Sequence, residues 1–366
     1  MAEGHVLCLP RIYSTMKKQT TGSRTDALAL TACAAAVLLL IRYGGPAKTA
    51  VTDALSLCGS VIIPSLFPML ILSRFAAACR LPSVLRNCCA GPLRMLLGLS
   101  PDCLTPLLLG LTCGYPMAAM AADAAKKEGL IAEGEARRIM LCFTCPGIPF
   151  SVAVAGEVFR SRALGWTLLA SCAAADLLSA VCCRILRKNA SGPPACPPAK
   201  PKTPTAEKLV HSVDGAAGSV LSVCAWICAF SAFTGVWQAA AGGLGEPFFS
   251  LAAEVTGALR TAAGLRDLPL TAACLAFGGV CVFCQLLPTL KENGAGAARY
   301  LAVRLLCAGF AYLNETALLR LLPLTVPTET RLGAFYLSAN SVAGSAALLF
   351  LCAVFMAETS RERDRI

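Results

Sequence analysis

Residues Cys103–Phe159 read CLTPLLLGLTCGYPMAAMAADAAKKEGLIAEGEARRIMLCFTCPGIPFSVAVAGEVF. The stretch is apolar enough to enter a membrane, yet it is broken twice. Cys113-Gly114-Tyr115-Pro116 interrupts the first apolar run, and Cys145-Pro146-Gly147-Ile148-Pro149 interrupts the second. Proline removes a backbone donor and clashes with the preceding turn. In lipid the freed amide and carbonyl groups need partners, so such breaks are tolerated where the backbone is buried in protein or lines a wet cavity. Transporter binding sites are commonly built in this way. A single break reads more simply as a packing kink. Two breaks within one hairpin, echoed in the second half, predict a site.

Composition sets the class. Of 366 residues, 56% are hydrophobic and 14% are charged, against about 25% charged in soluble domains. The apolar residues come in long runs, which predicts an all-α polytopic membrane protein embedded in a lipid bilayer. The net charge of +11 sits in short loops, as the positive-inside rule requires, and implies no nucleic-acid partner. Most of the 21 cysteines lie inside apolar runs, where a free thiol behaves as a small hydrophobe, so no disulfide framework is implied. The pairs Cys142/Cys145 and Cys281/Cys284 lack the histidines and loop context of a zinc site. No metal and no cofactor is expected.

The rest of the chain is organised around the broken stretch. Residues 1–26 form a polar tail expected in the cytoplasm, and Met16-Lys17-Lys18 looks a more natural start than Met1. Residues 27–51 hold a first span, Ala27–Tyr43, and a loop. Residues 52–186 make a first repeat. It has a span at Thr52–Phe75 bent by Pro64 and Pro68, and an interfacial amphipathic helix at Arg80–Leu97. A re-entrant hairpin follows over Cys103–Glu128, because each arm is shorter than the roughly 20 residues a crossing needs. A broken span at Arg137–Val158 and a span at Ala163–Arg184 complete it. Residues 187–210 are a proline-rich cytoplasmic linker. Residues 211–325 repeat the plan, with spans at Ser212–Ala240, Leu268–Leu290 (broken at Gly278-Gly279) and Arg299–Leu322. Pro247–Leu265 is the second re-entrant or interfacial candidate. Residues 326–366 hold a last span, Leu332–Met356, and a charged tail. The sum is about eight transmembrane helices in two repeats. With three crossings each, the repeats are inverted. Lysines and arginines gather in the segments this topology places inside, such as Lys17, Lys18, Lys126, Lys127, Arg187 and Lys188. A unique cysteine at Ala199, in a cysteine-free background, is therefore expected to resist an impermeant reagent added outside. Labelling there overturns the topology.

Several motifs resemble one family. They are Val61-Ile62-Ile63-Pro64-Ser65-Leu66-Phe67-Pro68, Gly114-Tyr115-Pro116 with its basic exit, Pro146-Gly147, and Phe277-Gly278-Gly279 followed by Gln285. In order and spacing they resemble the sporulation integral membrane protein YlbJ family, over roughly residues 27–325. The resemblance implies two "nucleoside recognition" gate domains, of the kind that resembles concentrative nucleoside transporters. It also implies transport of dipicolinic acid, a small aromatic dicarboxylate, across the mother-cell-derived membrane around the forespore. The chain departs from the family where Thr144-Cys145-Pro146-Gly147 replaces an Asn-rich turn, and where Ser171-Cys172 stands near the place of an expected histidine.

The substrate site expected on these grounds comprises Gly114, Tyr115, Thr144, Pro146, Gly147, Ser151, Gly278, Gly279 and Gln285. Tyr115 can stack on an aromatic ring or only anchor the tip. Thr144, Ser151 and Gln285 can donate hydrogen bonds, and half-helix N-termini can supply positive potential without a buried arginine. Intramembrane carboxylates are costly and commonly functional. Asp176 and Glu315 are thus candidate ion or proton sites, or else pair structurally, Asp176 with Arg304 and Glu315 with Arg304 or Arg320. Arg137 and Arg138 read as ordinary cytoplasmic-side cations. No P-loop, dinucleotide fingerprint or HExxH occurs and no nucleophile–base pair stands out, so the chain is not expected to be an enzyme. The expected partners are a small anionic substrate and, beyond it, a second copy of the chain or other sporulation membrane proteins. Two alternatives stay open: a nucleoside-type transporter, and a scaffold with a vestigial pore.

Overall fold

The computed structural model describes residues 24–78, 83–186, 205–242, 246–322 and 324. The expected last span, Leu332–Met356, lies outside them, as does most of the linker. Among the described residues the fold is all helix, with a single β-bridge between Gly114 and Pro146.

Arg24–Arg42 is one helix (α1) whose Leu28, Leu30, Leu38 and Ile41 are exposed. Gly44–Leu57 (α2) continues through a looser π-helical turn, Cys58–Ile62, into Ile63–Ala78 (α3). Proline at position 64 or 68 cannot complete a regular α-helical ladder, and the wider turn lies just before the first of them. Ser83–Pro92 (α4) runs into a second π-helical turn, Leu93–Leu97, which ends at the left-handed Gly98. The chain then bends by 99° into Pro101–Cys113, where Leu104–Cys113 is α5. The hairpin partner is Met117–Lys127 (α6). Glu133–Cys142 (α7) stops before the proline cluster. An irregular stretch leads to a π-helical segment, Pro149–Ala155, and the short Gly156–Val158 (α8). Arg162–Leu186 (α9) closes the first half.

The second half runs Thr205–Ala241 (α10), Glu246–Ala253 (α11), Val255–Gly264 (α12), Leu268–Phe277 (α13), Gly279–Glu292 (α14) and Ala297–Leu321 (α15). A long helix, a helix–break–helix, a second broken helix and a long helix thus recur in the same order. The linker read as residues 187–210 is already helical from Thr205.

Five stretches among the described residues are long and apolar enough to cross a membrane: Gly44–Phe75, Arg162–Ile185, Glu207–Ala241, Leu268–Glu292 and Ala297–Leu321. A sixth is present if the bent pair Arg86–Leu97 and Pro101–Cys113 counts as one span. Of the seven expected spans that fall on described residues, five are thus found and two, Ala27–Tyr43 and Arg137–Val158, are corrected. Arg137–Val158 is not an uninterrupted helix because Phe143–Gly147 leaves the helical path, and Arg24–Arg42 is not among the five.

The two halves interleave. α10 lies along α2 and α3, and α15 lies against both α9 and α13. Small residues set these approaches, as expected where lipid gives helices no hydrophobic drive to associate. A Cβ on Gly235 of α10 would stand 2.8 Å from Ala50 Cβ and 2.9 Å from Pro46 O of α2. One on Gly110 would stand 2.6 Å from Ala118 Cβ across the hairpin. A core through Ile139, Met140, Phe159, Leu168, Leu275 and Leu286 joins both halves, and a smaller one around Leu57, Ile63 and Val220 seats α10.

Candidate functional site

The two breaks of the first half lie against each other. Gly114 has φ +78°, a conformation that side-chained residues rarely adopt. The Tyr115 amide donates to Cys145 O at 3.0 Å, and Gly114 and Pro146 pair as a short antiparallel bridge. The backbones approach so closely that a Cβ on Gly114 would fall 2.2 Å from Gly147 N. A Cβ on Gly147 would fall 2.4 Å from Cys113 C and from Gly114 N. The orphan groups of one break therefore satisfy those of the other, which is how irregular backbone survives at membrane depth. These two glycines face each other within the first half.

The second half repeats the device more loosely. Gly278 and Gly279 have φ +82° and +75°, and a Cβ on Gly279 would lie 3.2 Å from Ala253 O and 3.3 Å from Ala252 O. Those carbonyls belong to the break between α11 and α12.

Between the two pairs of breaks lies a partly open cavity with about 540 Å³ of empty space, its mouth included. Ile62 and Leu66 beside the first π-helical turn, and Val223 and Ile227 of α10, form apolar walls. Its polar groups are Tyr115, Glu254, Thr256 and Gln285. Gln285 Nε2 makes one long bond of 3.4 Å to Cys281 Sγ, so most of its amide is unengaged. Glu254 is buried and lies just before α12. Its carboxylate accepts from the Thr256 amide at 3.0 Å, the Thr256 hydroxyl at 2.5 Å and the Gly257 amide at 3.0 Å. The first-turn amides of α12 are thus satisfied by an anion the chain itself supplies.

Of the nine expected substrate residues, Gly114, Tyr115, Gly147 and Gln285 line the cavity. Pro146, Gly278 and Gly279 do not line it; Pro146 pairs with Gly114, and Gly279 packs against the carbonyls of Ala252 and Ala253. Thr144 and Ser151 do not line it. The Thr144 hydroxyl donates to Met140 O at 3.2 Å, and Ser151 Oγ is buried without a partner. Glu254 and Thr256 were missed. The available signal was an acidic residue in an apolar candidate re-entrant element.

Behind the breaks, Arg304 of α15 is fully buried. It donates to Thr144 O at 2.8 Å, Cys142 O at 2.7 Å, Leu141 O at 3.1 Å and Ala276 O at 3.3 Å. Both terminal nitrogens also reach Asp176 Oδ1 of α9 at 3.2 Å. The last carbonyls of a helix have no partner within it and form its negative end. One guanidinium therefore caps α7 and α13, the first arm of each broken helix. Arg304 does not line the cavity. The place a cation would take beside Asp176 is filled by this guanidinium. Glu315 pairs with neither arginine; its carboxyl oxygens meet the hydroxyls of Thr167 and Ser171 of α9.

The arginines of α7 are also engaged. Arg137 donates to Asn293 O at 3.0 Å and pairs with Glu133, and Arg138 donates to Leu97 O and Gly98 O. Asp123 accepts from Asn293 at 2.7 Å and pairs with Lys127, joining α6 to the end of α14. Burial alone pushes Asp123 up, but the Asn293 amide and Lys127 ammonium outweigh it and its pKa lies below the usual carboxylate value.

Fold and site define an all-α polytopic membrane protein with two helix-break pairs around one cavity. No family model, curated protein or solved structure matches the chain.

Proposed function

We propose that the chain is a secondary transporter that passes a small solute through this cavity by alternating access. One observation carries the reading: helix breaks from both halves, at Gly114-Tyr115, Gly147 and Glu254, line the same cavity. A cavity lined by irregular backbone at membrane depth is the usual form of a transporter site.

The substrate we assign is the one the resemblance implies, dipicolinic acid, moved across the mother-cell-derived membrane around the forespore. Tyr115 offers a ring face and Gln285 an amide donor. The Glu254 charge is directed onto the first turn of α12. One observation favours a second reading. Glu254 is the charged residue of the cavity, and a carboxylate beside Gln285 suits a neutral, hydroxyl-bearing solute such as a nucleoside.

Uptake of labelled dipicolinate and labelled uridine into proteoliposomes separates the readings. Dipicolinate uptake is expected, with Gln285→Ala lowering it about tenfold, the equivalent of one good hydrogen bond at about 1.4 kcal/mol. Glu254→Gln is expected to leave dipicolinate uptake intact. Uridine uptake that Glu254→Gln abolishes selects the nucleoside reading. Uptake of neither solute, with normal spore dipicolinate in a deletion strain, selects the scaffold.

A further inference from the structure

Glu315 lies on the face of α15 that meets α9 and is fully buried. Its Oε1 is 2.7 Å from Thr167 Oγ1, and its Oε2 is 2.5 Å from Ser171 Oγ. No cation pairs with it among the described residues. From α9 it meets these two hydroxyls, with the Cys172 thiol beside them and Arg162 exposed at the helix start. On α13, Thr271 donates to Asp267 O, and the Asp267 carboxylate accepts from the Leu270 amide. α7 and α14 reach α15 at its other end, through Cys142 against Arg304 and Phe283 stacked on Tyr300. On α15 itself Arg320 is exposed. Arg304 is eleven residues back, about 16 Å along the axis, and is committed to Asp176 and backbone carbonyls.

Counting protons shows what this arrangement can do. A hydroxyl has one proton to donate. Thr167 Oγ1 also lies 2.9 Å from Leu164 O, which can only accept. When Thr167 donates there, its contact with Glu315 needs a proton on Oε1. When Glu315 is ionised, Thr167 turns to donate to Oε1 while Ser171 donates to Oε2. Both states fit the same heavy-atom positions and differ by one proton and one hydroxyl rotation. Removed from water and without a cation, the ionised form is strongly disfavoured, so this conformation holds the acid.

We propose that Glu315 is the proton-binding site that couples transport to a pH gradient. The carboxyl carries its proton while α9 and α15 are closed, and releases it to water when their separation wets the pair. This rests on the transporter reading above.

The test uses full-length protein in proteoliposomes with labelled dipicolinate and an imposed pH gradient, beside infrared spectra of the purified protein. Wild type is expected to accumulate solute with the gradient and to show the carbonyl stretch of a protonated carboxyl at neutral pH. Glu315→Gln, which mimics the acid form, is expected to keep solute exchange at the wild-type rate. It should lose at least tenfold in gradient-driven accumulation and lack the infrared band. Thr167→Val keeps the carboxyl but removes one donor to its ionised form, so the pH midpoint of uptake should move upward. Gradient-driven accumulation by Glu315→Gln equal to wild type overturns the coupling and leaves the transporter reading standing. A wild-type spectrum without the band overturns the proton site. A wild type that moves no solute while showing the band overturns transporter and coupling together.

Discussion

Replacing Arg304 by methionine is expected to destabilise the folded protein by about 3–5 kcal/mol, the range for removing one partner of a buried ion pair. Asp176 would be left buried and uncompensated. The carbonyls of Leu141, Cys142, Thr144 and Ala276 would lose their donor at the same time. Each unsatisfied buried group costs about 1–3 kcal/mol unless it relaxes toward another partner. Against a typical total stability of about 5–15 kcal/mol, the variant should melt far below wild type in detergent. Asp176→Asn is expected to cost less, because an amide oxygen still accepts from the guanidinium and the carbonyl caps stay in place. The pair Arg304→Met with Asp176→Leu separates the two roles. Removing both charges relieves the uncompensated carboxylate but leaves four carbonyls bare, so the double variant should recover part of the loss. Full recovery would mean that capping contributes nothing, and a wild-type melt for Arg304→Met alone would refute the hub altogether.

The parts of this arrangement that the sequence shows are those set by local chemistry. The breaks at Gly114–Pro116, Pro146–Gly147 and Gly278–Gly279 are legible because proline and glycine act on their own turn of backbone. The long spans are legible because hydropathy is a sum over neighbours. What depends on approach in space is hidden. Thr144 and Ser151 flank a break, but which face of the irregular chain they occupy follows from where α9 and α15 pack, and both turn away from the cavity. Residues 137–158 have the composition of a crossing, yet the path leaves the helix at Phe143. Asp176 and Arg304 could be matched as opposite charges in apolar helices, whereas the four carbonyls could not, since any helix end offers such groups. Glu315 was matched to an arginine on its own helix. The hydroxyls four apart at Thr167 and Ser171 were the better signal, and only the antiparallel packing of α9 on α15 selects them.

Gly147→Ala is expected to abolish transport while the protein still inserts in the membrane. The added carbon would stand 2.4 Å from Cys113 C and from Gly114 N, and 2.8 Å from Cys113 O. All three are backbone atoms of the hairpin tip, so no rotamer change relieves the clash. The tip and the broken helix must separate, which breaks the Tyr115–Cys145 hydrogen bond and moves Tyr115 and Gly114 away from the cavity they line. Overpacking of this kind costs about 1–3 kcal/mol, small beside the apolar burial that keeps the spans in the bilayer. The loss should therefore appear in solute uptake before it appears in expression. Gly114→Ala should be at least as severe, because its clash with Gly147 N at 2.2 Å is joined by the strain of a side chain at φ +78°. Gly279→Ala meets its nearest carbonyl at 3.2 Å, a distance that a few tenths of an ångström relieve, and should retain more uptake despite its own positive φ. The order of residual uptake is thus Gly279→Ala above Gly147→Ala, with Gly114→Ala lowest, at equal protein per liposome. Wild-type uptake by Gly147→Ala would mean that contact between the two breaks does not shape the path of the solute.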